Sequence, residues 1–210
     1  MTPQPSCPLY DLTVPVTAAS PASTNPVWAG DVSFGVLLDV ADGSQAYLEA
    51  VTLIRLGAAA DVDSAVSVYE RSNLARRQGV WPGQAARVNH VRARLYDSAA
   101  WFLVATEGPE TVAMASARDL RDKDGEGPVV PGGCFLGFLY VVPERWGRGI
   151  GGAVLDAVLT EAARRQYSRI HLLTHADNER SQRLYRSRGF SPTGRCAGGQ
   201  GEWVREILQK

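Results

Sequence analysis

Residues 139–152 are LYVVPERWGRGIGG, and this stretch decides the fold class. The apolar run at 134–142 leads into it, and so continuous a run is typical of a strand covered on both faces. An amphipathic stretch follows from about 149 to 166, with apolar residues such as Val154, Leu155 and Val158 on one side. The sequence therefore predicts a buried strand, a short turn and a helix that begins among glycines.

The start of that helix is a candidate pyrophosphate site. The first helical turn leaves several backbone N–H groups unpaired and carries the positive end of the helix dipole. Glycines lack the side chains that would hold a phosphate away, and a guanidinium adds a charge-assisted contact. A tight turn with close helix packing would explain the same glycines. The predicted phosphate-binding residues are Gly147, Arg148, Gly149, Ile150, Gly151 and Gly152.

Two other phosphate-binding motifs compete with this interpretation. The glycines at 147, 149 and 152 have the spacing of the dinucleotide pattern G-x-G-x-x-G. That pattern, however, needs an acidic residue at the end of a strand about 20 residues further on, where this chain has residues 169–174, RIHLLT. No G-x-x-x-x-G-K-[ST] segment is present, so a P-loop is excluded.

From residue 48 onward, strand and helix patterns alternate. Strands are predicted at 48–56, 101–106, 111–117, 134–142, 170–174, near 190 and at 203–208, with a hairpin turn at 107–110 and a loop at 122–133. Helices are predicted from about 61 to 78, up to about 96, at 149–166 and at 177–187. This order predicts a mixed central sheet with helices on both faces, an α/β (α+β) fold.

The first 46 residues differ in composition from the rest. They are rich in Pro, Ser, Thr and Ala, which favours a loosely ordered extension. Residues 32–40 have strand composition, which predicts an added edge strand or a partner contact. We therefore divide the chain into an extension at 1–46 and one domain at 47–210.

Composition excludes several classes of protein. Hydrophobic residues make up 45% and charged residues 21%, and the net charge is zero, which speaks against nucleic-acid binding. No apolar run approaches a membrane span, and the N-terminus lacks signal-peptide features. Three scattered cysteines form neither a disulfide framework nor a metal motif, so we expect a cytoplasmic protein without a metal. The oligomeric state stays open, a homodimer included.

A second motif follows the predicted strand at 170–174. Residues 178–190 are NERSQRLYRSRGF, in the pattern N-x-x-[AS]-x-x-L-Y-x-x-x-G-F. Together with WGRGIG at 146–151, in this order and at this distance, it resembles the GCN5-related N-acetyltransferase (GNAT) family. The resemblance covers about three-quarters of the chain. One departure is Trp146, which stands where the family often has Gln or Arg.

The resemblance implies a way of binding acetyl-CoA. Two parallel strands, here 135–142 and 170–174, would splay apart and admit the pantetheine arm. Free backbone groups of Leu139, Tyr140 and Val141 would pair with the arm, and one N–H would polarise the thioester carbonyl. Asn178 would hydrogen-bond the arm or nearby backbone.

Tyr185 is then the expected general acid for the leaving thiolate. Many relatives have a Glu on the strand at 135–141, but residues 134–140, CFLGFLY, contain no carboxylate. His171 and His175 lie on the other splayed strand, and His175 is the candidate base, with a structural histidine as the alternative. The acceptor pocket would be walled by residues 79–84, with Trp81, and by a loop at 191–201, with Arg195 and Cys196.

The resemblance, together with these residues, implies an acyl-CoA-dependent N-acyltransferase that moves acetyl from acetyl-CoA to a primary amine of a small molecule by direct attack on the thioester. A catalytically silent acyl-CoA-binding module and an acetyltransferase acting on a protein amine are the alternatives. An amino-acid-like metabolite, an antibiotic and a protein N-terminus all remain open as acceptors.

Overall fold

A mixed sheet of eight strands forms the centre of the computed structural model, which describes residues 34–35 and 52–207. The strand order is β1-β2-β3-β4-β5-β6-β8-β7. The strands are β1 (Phe34–Gly35), β2 (Thr52–Leu56), β3 (Ala100–Glu107), β4 (Glu110–Arg121), β5 (Val129–Val141), β6 (Arg169–His175), β7 (Ser191–Ala197) and β8 (Gln200–Glu206). The helices are α1 (Val62–Arg76), α2 (Gln84–Leu95), α3 (Ile150–Arg164) and α4 (Glu179–Ser187).

The helices cover both faces of this sheet. On one face Tyr69 of α1 packs edge-on against Phe138 of β5, with ring centroids 5.9 Å apart. On the other face the start of α3 lies beside the Val141 side chain, and Arg186 of α4 stacks on Trp203 of β8. This arrangement follows from strand alternation, because Tyr140 and Val141 point to opposite faces. The α3 residues Val154, Leu155, Val158 and Ala162 are fully buried, as the apolar side of the sequence pattern requires.

The element order confirms the predicted fold class, while several boundaries differ. Strand β4 continues to Arg121 and β5 begins at Val129, so the predicted loop at 122–133 is confined to residues 122–128. The sequence patterns concealed this extension because charged residues end one strand and Pro131-Gly132-Gly133 begin the other. The described helices include none that is long and apolar enough to cross a membrane.

The predicted loop at 191–201 is wrong in extent. Residues 191–197 form the edge strand β7, and the turn to β8 consists of Gly198 and Gly199, both with positive φ. An edge strand tolerates proline, and the register of β7 shifts between Pro192 and Cys196. Of the predicted strand at 32–40, Phe34 and Gly35 pair antiparallel with β2, and the rest of the 1–46 extension lies outside the described residues.

Strands β5 and β6 separate partway along their length. Their parallel ladder has four rungs, from Gly133 opposite Arg169 to Leu136 opposite Leu172. Both strands continue past the last rung, β6 pairing with β8 and β5 with β4. Gly137 is the extra residue of a bulge between β5 and β4, and bulges of this kind bend the strand that carries them. The separation of these two strands, which the family resemblance implied, is therefore present.

Candidate active site

We call the gap that opens between β5 and β6 beyond Leu136 and Leu172 the splay. The backbone of β5 beyond the bulge has free hydrogen-bonding groups on the side that faces this gap. The Val142 N–H donates to the Val112 carbonyl at 2.9 Å, which fixes the alternation of the antiparallel ladder. Tyr140 therefore bonds across to β4, while the N–H and C=O of Leu139 and Val141 point away from it. The backbone groups of Leu139 and Val141 thus face the gap between β5 and β6, whereas those of Tyr140 are used within the sheet, so Tyr140 could contribute only through its side chain.

One of these four backbone groups already has partners. The Val141 carbonyl accepts from the Ser72 hydroxyl at 2.6 Å and from the Trp146 indole N–H at 2.7 Å. The Arg180 guanidinium lies 5.3 Å from the centre of the Trp146 ring. Trp146 therefore ties the turn before α3 to the end of β5, which gives this departure from the family pattern a structural role.

The start of α3 presents a row of unpaired backbone N–H groups. The first bonded amide of the helix is that of Gly152, which donates to the Gly149 carbonyl at 2.9 Å. No acceptor within the described residues takes the five preceding N–H groups, those of Gly147, Arg148, Gly149, Ile150 and Gly151. We call these five groups the amide cluster. Such a cluster at the positive end of a helix is suited to an anion.

Glycine geometry keeps the amide cluster open. Gly147 and Gly149 have φ values of +85° and +81°, and a Cβ built on either would meet nothing within 4 Å. Positive φ is a conformation in which L side chains are strained, so both turns require glycine. The Ile150 side chain is 6% exposed and anchors the helix in the core. The cluster therefore borders open space on a fixed support.

The basic residues near the amide cluster differ in how they are engaged. Arg148 is exposed and makes no ion pair among the described residues, so its guanidinium is available to a phosphate. Arg188 pairs with Asp156 at 3.0 Å, and its guanidinium lies where a Cβ on Gly152 would fall. Of the α4 arginines, Arg183 is exposed and pairs with Glu179 at 3.1 Å, as is usual on a solvated helix face.

Asn178 caps α4. Its carboxamide oxygen accepts from the Ser181 backbone N–H at 3.2 Å, as expected for an N-cap residue. Of the two predicted roles, the bond to nearby backbone is the one seen. Its amide nitrogen has no partner among the described residues and is free to donate.

Tyr185 lies near the end of α4 and is 7% exposed. Its ring packs on Phe190 with centroids 5.8 Å apart, so it also has the packing role that the sequence offered as the alternative. Its hydroxyl makes no hydrogen bond within the described part of the chain. Burial, followed by the nearby Tyr140 phenol, raises the pKa of Tyr185 far above its usual 10. The phenol is therefore a neutral donor without an acceptor.

His175 ends β6 and is half-buried. Burial lowers its pKa below 6.5, and the positive charge of Arg76 lowers it further. The imidazole is consequently neutral at pH 7, as a proton acceptor must be. Its backbone carbonyl accepts from the Asn178 N–H at 3.1 Å, which links the end of β6 to the α4 cap.

An aromatic wall that the sequence patterns did not reveal stands beside the splay. It consists of Tyr69, Trp81, Phe138 and Tyr140. Tyr69 is at its centre, with ring centroids 4.9 Å from Tyr140 and 5.4 Å from Trp81. Burial and the Tyr140 phenol raise the pKa of Tyr69 to about 12. Only Trp81 was predicted at the acceptor pocket, because Tyr69 matched the apolar side of a helix and Phe138 and Tyr140 a covered strand.

A carboxylate also reaches this face from a strand that the resemblance did not single out. Glu202 of β8 accepts from the Thr193 hydroxyl at 2.7 Å and lies 3.1 Å from His171 Nδ1. Burial alone would raise the pKa of Glu202, but these two hydrogen bonds outweigh it and lower the pKa. His171 and His175 share a face because they are four residues apart in β6. Glu202 belongs to no recognisable sequence motif. Its position beside His171 becomes visible only through the pairing of β6 with β8.

The comparisons with known proteins agree with this geometry. The model of the acetyltransferase (GNAT) family matches residues 65–190, more than half of the chain. The chain therefore belongs to the GNAT acetyltransferase family. No curated protein matches it.

Solved structures share the fold at low sequence identity. The GNAT domain of S. lividans PAT is 19% identical over 75% of this chain and 91% of its own, with a TM-score of 0.62. PaiA N-acetyltransferase from Thermoplasma acidophilum, solved with coenzyme A, is 15% identical over 74% and 98%, with a TM-score of 0.58. YncA from Salmonella typhimurium, solved with its cofactor acetyl-CoA, is 22% identical over 76% and 95%, with a TM-score of 0.57.

Proposed function

We propose that the protein is an N-acetyltransferase that uses acetyl-CoA as acyl donor and a primary amine of a small molecule as acceptor. The observation that carries the proposal is that two groups of unpaired backbone hydrogen-bonding atoms, one at the start of α3 and one on β5, lie at the same end of the sheet. The amide cluster at the start of α3 suits a diphosphate. The free N–H and C=O of Leu139 and the free N–H of Val141, beside the splay, suit the amides of a pantetheine arm.

The reaction then follows from the residues around the splay. A free β5 N–H, aimed at the thioester carbonyl, would stabilise the charge that grows on its oxygen during attack by the amine. The amine nitrogen forms the new bond to the carbonyl carbon, the carbon–sulfur bond breaks, and coenzyme A leaves as a thiolate. The amine must be neutral to attack, and neutral His175 is suited to accept its proton.

Tyr185 is suited to assist the departure of the thiolate. A thiol has a pKa of about 8.5 and a phenol of about 10, so full proton transfer from an ordinary tyrosine costs about 2 kcal/mol. Burial of Tyr185 increases that cost. We therefore assign its hydroxyl first to donating a hydrogen bond to the sulfur, which stabilises the negative charge as the bond breaks.

Release of the free thiol from acetyl-CoA over a panel of primary amines tests the proposal. We expect amine-dependent release by the wild type and a loss of at least about 100-fold in Tyr185→Phe, the order expected for a positioned proton donor. Coenzyme A affinity should be equal in the two proteins. Binding of acetyl-CoA without release for any amine would instead identify a silent binding module. Release only with a peptide amine would identify a protein acetyltransferase.

A further inference from the structure

Three arginines act electrostatically on the aromatic wall, and one of them, Arg77, also contacts it. Arg76 and Arg77 lie at the end of α1, Arg87 lies on α2, and none makes an ion pair with a carboxylate among the described residues. The Arg77 guanidinium lies 5.9 Å from the centre of the Trp81 ring. Most other arginines of α1 and α2 are paired, for example Arg92 with Asp63. Within α1, α2 and the turn between them, the arginines without an ion pair in the described residues are therefore the three that act on the wall.

Two buried N–H donors in the same place also lack acceptors. They are Nε of Arg77 and Nε1 of Trp81, whose side chain is 7% exposed. A buried donor without an acceptor is unfavourable, so such groups are rare unless a bound molecule completes them. Both these donors and the guanidinium groups would be satisfied by the same kind of partner, an oxygen atom that accepts hydrogen bonds.

The charges of the three arginines also act on the titratable side chains around the splay. Their charges favour the ionised forms of Tyr69 and Tyr140, and they favour the neutral form of His175.

The carboxylates on this side are already engaged or act locally. Glu70 accepts from the Gln84 side chain. Glu202 is bonded by Thr193 and His171. Asp177 opposes the arginines only in part at His175. At the Tyr69 and Tyr140 phenols, however, the charged side chains with the largest effect are the three arginines, so the wall lies in a positive electrostatic potential.

We infer that the acceptor is a primary amine that also carries an oxyanion, of the kind found in amino acids and aminoalkyl phosphates. The inference rests on the proposed function, because the wall contacts an acceptor only if the thioester lies in the splay. Guanidinium groups recognise carboxylate and phosphate oxygens by paired hydrogen bonds. The aromatic rings would pack on the apolar part of such a molecule.

The same charges bear on the missing strand carboxylate. A positive charge near an ammonium group disfavours its protonated form. The arginines that bind the oxyanion would therefore also favour the neutral, attacking amine, which reduces the need for a strong base on β5. A polyamine would be repelled by the same groups.

Matched acceptor pairs test the inference. Phenylalanine is compared with phenylalaninamide, and ethanolamine phosphate with ethanolamine, so that the members of each pair differ in the oxyanion. We expect kcat/KM to be about 10- to 100-fold higher for the anionic member, the order of a charge-assisted hydrogen bond. The pair with the larger ratio identifies the anion as carboxylate or phosphate. Equal or higher values for the members that lack the oxyanion would overturn the inference.

Variants assign the recognition to the arginines. Arg87→Gln removes an exposed cation without a packing role, and we expect it to raise KM for the anionic acceptor about tenfold or more. Arg77→Gln should act in the same direction, and Arg77→Lys should restore part of the effect. Arg92→Gln, on the same helix as Arg87, is the matched control and should leave KM for the anionic acceptor unchanged. An anion preference that survives in both Arg87→Gln and Arg77→Gln would contradict the assignment.

A binding measurement separates the inference from the proposed function. Calorimetry with the full chain loaded with coenzyme A measures acceptor affinity without turnover. Arginine-dependent binding of phenylalanine or ethanolamine phosphate without thiol release would overturn the enzymatic proposal alone. Thiol release with equal affinity for acceptors with and without the oxyanion would overturn the inference alone.

Discussion

Gly151→Glu places a negative charge at the amide cluster with little disturbance of the fold. Gly151 is the second residue of α3, and its backbone has an ordinary negative φ. A Cβ at this position lies 3.5 Å from Val141 Cγ2 and 3.7 Å from Leu184 Cδ2, which are normal van der Waals distances. Replacing a helical glycine gains about 0.5–1 kcal/mol in helix stability, and an acidic side chain in the first turn adds a little more. We therefore expect the free variant to be at least as stable as the wild type.

The Gly151→Glu substitution should instead weaken the binding of coenzyme A. A carboxylate about 5 Å from one phosphate opposes it by about 3 kcal/mol at an effective dielectric constant of 20. This corresponds to a loss of affinity for coenzyme A of more than about 100-fold. At a ligand concentration of about 100 times the wild-type Kd, ligand-induced stabilisation should fall from about 2.7 to about 0.4 kcal/mol.

Thermal unfolding with and without coenzyme A, together with calorimetric titration, measures both quantities. Gly151→Gln is the matched control, because it adds the same bulk without the charge. The two variants should differ in affinity by the charge effect, and both should unfold cooperatively without ligand. If the glutamate variant bound coenzyme A within about threefold of the glutamine variant, the diphosphate would not lie at this helix end, and the reasoning from the unpaired amides would be refuted.

Three further predictions concern single side chains. Tyr185→Phe should lower kcat by about 100-fold or more while coenzyme A affinity stays unchanged, as steady-state kinetics and calorimetry will measure; a loss of affinity instead would indicate a packing role. NMR titration should place the pKa of His175 below 6.5, and Arg76→Gln should raise it, because one positive charge near the imidazole is removed; an unchanged value would exclude Arg76 as a cause. Burial alone would raise the pKa of Glu161, but hydrogen bonds from two arginines outweigh it and lower it. Stability from this lowered pKa is present above its ordinary value of 4.5 and is lost as the pH falls through the folded value, so chemical denaturation should find Glu161→Gln less stable than the wild type at pH 7 and the difference should shrink in acid.

The sequence predicted those parts of the site that depend on local patterns. The glycines at 147–152 marked the helix start because the absence of side chains is visible in the sequence. The apolar run at 134–142 likewise marked a covered strand. Both features depend on residue type and short spacing, and the structure places them at one end of the sheet.

The remaining parts depend on pairing between distant segments. The bulge at Gly137 arises from the register between β4 and β5, which no short pattern encodes. The tie from Trp146 to the Val141 carbonyl could not be predicted, because it needs the turn to fold back on the strand. Tyr69 joins the aromatic wall only because α1 crosses the sheet at Tyr140. Strand signals also failed at β7, where an edge position tolerates Pro192 and Gly194.

A crystal structure of the full chain soaked with acetyl-CoA tests the central claim most directly. We predict diphosphate oxygens within hydrogen-bond distance of the backbone N–H groups at 147–151, and the pantetheine arm between β5 and β6 with its amides paired to Leu139. A complex in which this helix end contacts no phosphate, or in which the arm lies outside the gap between β5 and β6, would contradict it.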